Sequence, residues 1–246
     1  EGNPALKVLV GTTEGETILT TNNAKPPFDN LLVRQAMAHA IDRQAIIDGA
    51  TYGYGVAIGA PFAPHNPYYV DLTGTYPHDV EAAKALLAEA GLADGFSATL
   101  KLPPVGYART SGQIIASQFA EVGIELELIN VDWAQWIEDV FTNKDYDLTI
   151  ISHVEPFDIG NYANPDYYFG YDNPDFQALI ETLNGTTDEA TRQELAIEAQ
   201  TILAEDAVNG YLFELAQTGV WNAKLTGMWQ NSPIEGVVLR DIRWVE

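Results

Sequence analysis

Residues 96–152 read FSATLKLPPVGYARTSGQIIASQFAEVGIELELINVDWAQWIEDVFTNKDYDLTIIS. Short runs rich in β-branched residues alternate in this stretch with segments whose apolar residues recur at helical spacing. The predicted order is strand, helix, strand, helix and strand, over residues 96–104, 111–123, 124–131, 132–141 and 146–152. Strands that alternate with helices are typical of a sheet with helices packed over it. We therefore predict the α/β class.

The sequence before this stretch predicts strands and then a long helix. Residues 5–22 contain two strand-like runs, ALKVLVG and ETILTTNN, which a turn near Thr13–Gly15 would join. Residues 28–49 read FDNLLVRQAMAHAIDRQAIIDG and predict one helix, with an apolar side for a core and Arg34 on the polar side. We expect this helix to support the sheet and not to contact a ligand.

Polar residues mark where three other helices begin. Asp79 is the predicted N-cap of the helix before the central stretch. After that stretch, Asn173 precedes Pro174, which favours the first position of a helix. Thr186 and Glu189 have the spacing of a capping box for the next helix. The remainder of the chain reads as strands and turns.

The composition is that of a globular protein. The chain has 246 residues, of which 46% are apolar, and it contains no cysteine. This length is sufficient to bury a core, and no run of about 18 apolar residues predicts a membrane span. The absence of cysteine excludes disulfides and thiolate sites, and it agrees weakly with an exported bacterial protein.

The chain is strongly acidic. Its formal net charge is -23, and the acids are spread along the sequence without a long block. A surface of this sign repels nucleic-acid phosphates and anionic lipids, so we expect neither as a partner. A salt-adapted, highly solvated surface explains this charge, and so does the binding of cationic ligands.

No motif in the chain predicts an enzyme or a metal site. The patterns GxSxG, HExxH, GxxxxGK[ST] and GxGxxG are absent. The four histidines lie far apart, and no two have the helical i, i+4 spacing of a metal-binding pair. We therefore predict no catalytic residue, no metal and no cofactor.

Several segments together carry a family resemblance. They are, in order, NNAKPPFDNLLVRQAMAHAIDRQAII, YPHDVEAAKALLAEAGLADGF, FAEVGIELELINVDWAQW, KDYDLTIIS, NPDFQALI and RQELAIEAQTILAEDA. The chain resembles the C-terminal half of a family 5 extracytoplasmic solute-binding protein, the peptide-binding class of ABC importers. The matching segments extend over roughly residues 20–215. Their common order makes a chance match improbable.

The resemblance implies a fold and a domain organisation. Family members are about twice this length and bind their ligand between two lobes. The implied fold is a lobe like those of type II periplasmic binding proteins, with a mixed sheet flanked by helices. Residues 1–20 would be strands that connect toward a first lobe, residues 21–225 the second lobe, and residues 226–246 strands that return toward the first.

The loop LPPVGYARTS, after the first strand of the central stretch, is one candidate for ligand contact. Ligands of open α/β sheets gather at loops beyond the strand ends. In dipeptide-binding relatives an arginine and a tyrosine near this turn hold the peptide carboxylate. Tyr107 falls at the tyrosine position, whereas Arg109 lies just past the arginine position. Arg109 can pair with an anionic group or remain a solvated residue at a helix start.

A second candidate is the loop SHVEPFDIGNYANPDYYFGYDNPD at residues 152–175. The family carries here an aspartate that pairs with the terminal ammonium of the peptide, typically after a tryptophan. Asp158 or Glu155 is expected in that role, and His153 stands about where the aromatic residue would be. The alternative is that the acids cap turns and that His153 is structural. The missing tryptophan leaves ligands other than peptide open.

Aromatic residues supply the remaining candidates. Trp133 and Trp136 share one face of a helix, which is usually a core face, although Trp133 at the helix start is placed to reach the cleft floor. Tyr162 and the other tyrosines of the second loop are candidates for stacking against a ligand or for packing the loop.

The resemblance implies a substrate-binding component of an ABC importer and no enzymatic activity. Such a protein closes two lobes over a small solute and presents it to a membrane permease. We expect a periplasmic monomer whose ligand is a peptide. Oligosaccharide or another small polar solute remains an alternative, as does a carbohydrate-active enzyme that uses paired carboxylates.

Overall fold

The computed structural model describes residues 2–155, 157–233 and 238–245. The strands within these ranges are β1 Leu6–Thr21, β2 Val56–Ala57, β3 Phe96–Leu102, β4 Ile124–Asn130, β5 Leu148–His153, β6 Gly210–Asn222, β7 Leu225–Thr226 and β8 Arg243–Trp244. The helices are α1 Leu31–Ala40, α2 Arg43–Thr51, α3 Val80–Glu89, α4 Gly106–Glu121, α5 Trp133–Trp136, α6 Pro174–Gly185 and α7 Glu189–Glu205. A π-helical turn, Ile137–Thr142, continues α5, and a 3₁₀ helix spans Asp158–Ala163. No helix of the described ranges is long and apolar enough to cross a membrane.

The main sheet has the strand order β2-β6-β1-β5-β3-β4. Strand β3 runs parallel to both β4 and β5, whereas β1 runs antiparallel to β5 and β6. The sheet is therefore mixed, as expected. Because β3, β4 and β5 are parallel, their carboxyl ends lie at one edge, which we call the carboxyl edge.

Helices cover both faces of the sheet. Neighbouring residues of β1 point to opposite faces, so that Leu19 belongs to one core and Ile18 to the other. The first core includes Val33, Ile46, Leu87 and Ile115, one residue from each of the helices α1 to α4. The second core includes Val140, Tyr168, Phe176 and Leu203, from the π-helical turn, the loop after β5, α6 and α7. The predicted α/β lobe, a mixed sheet flanked by helices, is confirmed.

Strand β1 is one long strand, so the predicted turn near Thr13–Gly15 is wrong. The pairing of β1 with β6 changes register between Thr12 and Glu16, which is an irregularity within a continuing strand. The Thr13 hydroxyl donates to the Leu215 carbonyl, and the Gly15 N–H donates to the Thr13 hydroxyl oxygen. The turn-like residues therefore form a local bulge, because β6 accompanies the strand on both sides of it.

The predicted helix 28–49 is two helices. Ile41 and Asp42 are extended, and Asp42 caps α2 by accepting from the Ala45 N–H at 3.0 Å. The position of Arg34 on the polar side of the helix had suggested that it faces solvent. The residue is instead buried, with only 9% of it exposed. Its guanidinium donates to the carbonyls of Phe28 and Asp206 at 2.9 and 3.0 Å. The first helix therefore supports the fold through polar as well as apolar contacts.

Two of the three predicted helix starts are confirmed. Asp79 accepts from the N–H groups of α3, and Asn173 accepts from those of α6. The predicted Thr186 capping box is wrong. Asp188 caps α7 instead, whereas the Thr186 hydroxyl donates to the Thr182 carbonyl at the end of α6. Asp188 stands directly before α7 and accepts from the Thr191 N–H, whereas Thr186 lies three residues before the start of that helix.

Beyond the carboxyl edge, β1 and β6 continue as a two-stranded ribbon. His153, the last residue of β5, pairs with Glu16, whereas residues 6–12 of β1 pair with residues 216–222 of β6. The predicted boundary at residue 20 falls inside β1. Within the predicted segment 226–246, residues 234–237 and 246 lie outside the described residues. The division into connecting strands and a lobe stays a prediction.

Candidate functional site

The carboxyl edge brings the two candidate loops together. Helix α4 begins at Gly106, earlier than predicted, so Tyr107 lies in its first turn. The Tyr107 hydroxyl accepts a hydrogen bond of 3.1 Å from the backbone N–H of Ser152 in β5. The loop that follows β3 and the loop that follows β5 are thereby joined at one point.

An open cavity of about 600 Å³ lies beside Tyr107. Its walls come from the end of α2, the start of α4 and the middle of β6, and they include Tyr52, Tyr54, Val105, Tyr107, Leu215 and Thr218. Tyr52 is 87% exposed and has a left-handed backbone with φ of 57°. The cavity therefore combines aromatic surface with hydroxyl groups, which suits a small amphipathic ligand.

Arg109 points away from this cavity toward the neighbouring loop. It is exposed in the first turn of α4, and its guanidinium donates to the Val131 carbonyl at 3.4 Å. The contact is long, so the group retains most of its donors for other partners. The pairing of Arg109 with a ligand stays a prediction.

His153 gathers the acidic candidates of the second loop. Its Nδ1 atom lies 3.2 Å from Asp158 Oδ2 and 4.0 Å from Glu155 Oε2. On the other side of the ring, Nε2 lies 2.8 Å from the Tyr168 hydroxyl. Asp158 is 6% exposed at the start of the 3₁₀ helix, whereas the Glu155 side chain is 67% exposed. The structure thus brings into contact the three polar residues that the sequence had named within this loop.

Glu16 lies directly behind this group and was missed in the sequence. It pairs with His153 on β5 and with Glu214 on β6, so the three side chains share one face of the sheet. Glu16 is 2% exposed. Burial, and then the charge of Asp158, raise the pKa of Glu16 well above its usual range. The only signal in the sequence was an acid inside each of two strand-like runs.

A second histidine, His65, contacts two further acidic residues, Glu14 and Glu214. His65 Nε2 lies 2.7 Å from Glu14 Oε1, and His65 Nδ1 lies 3.3 Å from Glu214 Oε1. Burial raises the pKa of Glu214, and the nearby His65 opposes this effect. Two imidazoles, those of His153 and His65, therefore flank the adjacent carboxylates of Glu16 and Glu214.

The aromatic candidates divide between core and surface. Trp133 is partly exposed and packs edge-on against Trp136, whose indole N–H donates to the Thr149 hydroxyl at 2.9 Å. Tyr162 is buried, and its hydroxyl accepts from the Asn209 side chain at 3.2 Å. Burial raises the pKa of Tyr162 well above its usual range. Trp133 is therefore accessible to a ligand, whereas Tyr162 packs the loop against its own lobe.

The family comparison identifies the kind of protein. Residues 1–175 match the family model described as bacterial extracellular solute-binding proteins, family 5 Middle. The chain belongs to this family. The family resemblance seen in the sequence is thereby confirmed. The two candidate loops at the carboxyl edge lie inside the matched range.

Named members of family 5 show how much of a relative the chain spans. It is 29% identical over 225 residues to the heme-binding protein A of Haemophilus influenzae and 30% identical over 210 residues to the dipeptide-binding protein of Escherichia coli. These matches cover 83% and 77% of this chain but 40% and 38% of the relatives. The chain therefore spans about two fifths of the length of these relatives.

A solved structure has the same fold over nearly the whole chain. The dipeptide-binding protein of Pseudoalteromonas sp. SM9913, solved in complex with Met-Leu, superposes with a TM-score of 0.84 at 22% identity. The match covers 99% of this chain and 51% of that protein. This likeness shows that the chain has the fold of about half of that protein.

Proposed function

We propose that this chain is part of the substrate-binding component of an ABC-type importer. The component takes a small solute, in the first place a peptide, into a cleft between two lobes and delivers it to a membrane permease. Residues 21–225 would form the second lobe, and residues 1–20 and 226–246 would lead to the first. Membership of family 5 and the share of each relative that the chain spans support this assignment.

The observation that carries the proposal is the carboxylate pair at the carboxyl edge. Asp158 is buried and Glu155 is exposed, and both lie beside His153. A partly buried carboxylate that faces an ammonium forms a charge-assisted hydrogen bond of about 1.5–3 kcal/mol. The ammonium of a peptide would therefore bind at Asp158, with Glu155 completing the site from the solvent side.

The cavity beside Tyr107 would receive another part of the solute. Tyr107 is tied to Ser152, one residue before His153, so the cavity and the carboxylates belong to one edge of the sheet. Arg109 and Trp133 border this edge and would contact a solute that extends past the cavity. Closure of a second lobe over the edge would exclude water and strengthen these polar contacts.

The proposed protein is a periplasmic monomer that makes and breaks no bond. Membership in a family of extracellular solute-binding proteins supports the assignment as a soluble carrier. The net charge of -23 supports the expectation that it does not bind nucleic acid. Among related proteins, the dipeptide-binding protein of Escherichia coli and the Met-Leu complex favour a short peptide as the solute.

The substitution Asp158→Asn, made in the full-length gene product, tests this proposal. Titration calorimetry with a panel of dipeptides should show binding to the wild type and an affinity lower by about 1.5–3 kcal/mol for the variant. Asp166→Asn, in an exposed acid of the same loop, is the matched control and should bind as the wild type does. Equal affinity of wild type and Asp158→Asn would contradict the role of Asp158.

An oligosaccharide is a second candidate, which the tyrosines of the cavity favour. Tyr52, Tyr54 and Tyr107 all line the cavity, and aromatic faces stack well against sugar rings. Calorimetry with neutral oligosaccharides separates the two candidates. Binding of a sugar that Asp158→Asn does not weaken, together with no binding of dipeptides, would favour this solute class.

A further inference from the structure

Three potential metal ligands converge at the carboxyl edge. One donor atom from each of His153, Glu155 and Asp158 lies within 4.8 Å of the other two. An imidazole nitrogen and carboxylate oxygens are ordinary ligands of divalent transition metals. His153 ends β5, Glu155 lies in the loop that follows, and Asp158 begins the 3₁₀ helix, so the backbone of the sheet positions at least one of the three.

A second observation is that buried oxygens at this place have no hydrogen-bond partner. Asp158 Oδ1 and Glu16 Oε1 are both inaccessible to solvent and unpaired. Buried carboxylate oxygens without a partner are costly, and a native structure ordinarily satisfies them with a donor or a cation. Glu16 pairs with His153 across the two strands, so these two side chains lie on the same face of the sheet.

The histidine is already oriented for ligation. The Tyr168 hydroxyl lies 2.8 Å from Nε2, and the ring of Tyr168 stacks on that of His153 at a 14° interplanar angle. A hydrogen bond at one ring nitrogen sets the tautomer and directs the other nitrogen toward a metal. Here the other nitrogen is Nδ1, which faces both Asp158 and Glu155.

We propose that His153, Asp158 and Glu155 bind a divalent transition-metal ion such as Zn²⁺. The ion neutralises the carboxylates of Asp158 and Glu155, which otherwise repel one another beside His153. The imidazole favours Zn²⁺, Ni²⁺ or Co²⁺ over Mg²⁺ and Ca²⁺, which prefer oxygen ligands alone. The exposed Glu155 leaves the site open to solvent on one side, so an ion can enter without unfolding of the lobe.

This site goes beyond the proposed transport function and does not rest on it. An ion held by Asp158 would compete with the ammonium of a solute, so metal and solute are measured separately. The metal test uses Zn²⁺ alone, without solute, on protein freed of metal with a chelator. Dipeptide titrations in the presence of the chelator then test the transport function by itself.

Calorimetric titration of Zn²⁺ into the protein as its gene encodes it should show one site of defined stoichiometry. His153→Gln and Asp158→Asn should each weaken Zn²⁺ binding by about a hundredfold or more, and Tyr168→Phe by about tenfold, since it changes only the orientation of the ring. His39→Gln is the matched control, because His39 lies in α1 against the Pro77 carbonyl. Its affinity for Zn²⁺ should equal that of the wild type.

Two further measurements distinguish the loss of a metal ligand from the misfolding of a variant. Glu155→Gln changes an exposed side chain and should weaken Zn²⁺ binding while leaving the thermal melting temperature of the metal-free protein unchanged. X-ray absorption of the Zn²⁺-loaded protein should show one imidazole nitrogen and carboxylate oxygens at about 2.0–2.2 Å. Wild-type affinity in both His153→Gln and Glu155→Gln would overturn the site. Loss of Zn²⁺ binding in His65→Gln alone would likewise overturn it and place the ion between Glu14 and Glu214.

Discussion

The hydroxyl of Tyr107 accepts the backbone N–H of Ser152 at 3.1 Å, and this contact links the first turn of α4 to the end of β5. The two residues are 45 positions apart in the sequence. Tyr107 lies in the first turn of α4, shortly after β3, and Ser152 lies near the end of β5. This side-chain contact therefore adds to the β3–β5 pairing that holds the two halves of the candidate site together.

Tyr107→Phe should lower the free energy of unfolding by about 0.5–1.5 kcal/mol, because the substitution removes the acceptor of the Ser152 N–H. Urea unfolding followed by circular dichroism measures the change, and amide hydrogen exchange should be faster at Ser152. Tyr52→Phe removes an equivalent hydroxyl from an exposed tyrosine of the same cavity and serves as the control. Equal stability of the two variants would mean that the contact contributes nothing measurable.

Asp147→Asn should make the stability of the protein less dependent on acidic pH. Asp147 Oδ1 lies 2.5 Å from Lys25 Nζ, and Oδ2 accepts from the backbone N–H and the hydroxyl of Thr99 at 2.8 and 2.7 Å. Burial alone would raise the pKa of Asp147, but the hydrogen bonds from Lys25 and Thr99 outweigh it and lower this pKa. The ionised carboxylate is therefore favoured in the folded state.

The sign of this effect follows from the lowered folded-state pKa. The stabilisation is fully present above the ordinary aspartate pKa of about 3.9 and is lost as the pH falls from there toward the folded-state value. Wild type and Asp147→Asn should therefore differ in unfolding free energy by about 1.5–3 kcal/mol at pH 7 and converge in acid. Denaturant titrations at pH 7, 5 and 3 measure the difference. A difference that is the same at every pH would refute this account.

Gly95→Ala should destabilise the protein by more than about 1 kcal/mol. Gly95 has φ of 77°, and a Cβ atom there would lie 1.9 Å from the carbonyl oxygen of Gly123. The two glycines precede the parallel strands β3 and β4, whose backbones approach closely at this point. Gly74→Ala, where an added Cβ meets nothing within 4 Å, should leave the melting temperature nearly unchanged. Similar melting temperatures for both variants would contradict the predicted clash.

Arg34→Lys should lower the free energy of unfolding by about 1.5–3 kcal/mol although the charge is retained. The guanidinium donates through Nη1 to Phe28 and through Nε to Asp206, and an ammonium cannot reach both carbonyls in that geometry. Arg240→Lys changes an exposed arginine and is the matched control. Chemical denaturation of the two variants should separate them clearly, and equal stability would show that the forked contact is dispensable.

Local sequence signals predicted the start of a helix well where one side chain accepts hydrogen bonds from the first N–H groups of that helix. Asp79 and Asn173 cap helices as expected because each side chain accepts from N–H groups two or three positions away. The same reasoning failed at Thr186, where the neighbouring Asp188 competes for the same role. It also failed at Thr13–Gly15, because a turn and a strand bulge have similar residues and only the course of β6 distinguishes them.

The candidate site was predicted in part. The sequence singled out Tyr107, His153, Glu155 and Asp158, because the resemblance to family 5 implies ligand contacts in the two loops that carry them. It did not reveal Glu16 and Glu214, because their position beside His153 depends on the register of two antiparallel pairings. It also did not distinguish the buried Tyr162 from the exposed Tyr52, since burial depends on what packs above each ring.

The sequence by itself determined the α/β class, the family and the loops that carry the site, because periodicity, caps and segment order are properties of neighbouring residues. Only the tertiary structure decided which side chains of those loops meet. Strand pairing places Glu16 against His153 across 137 positions of sequence, and the Tyr107 contact joins two loops that no local pattern connects. Cross-strand distances arise from the register of the whole sheet, and this register is a cooperative property of all the packed elements.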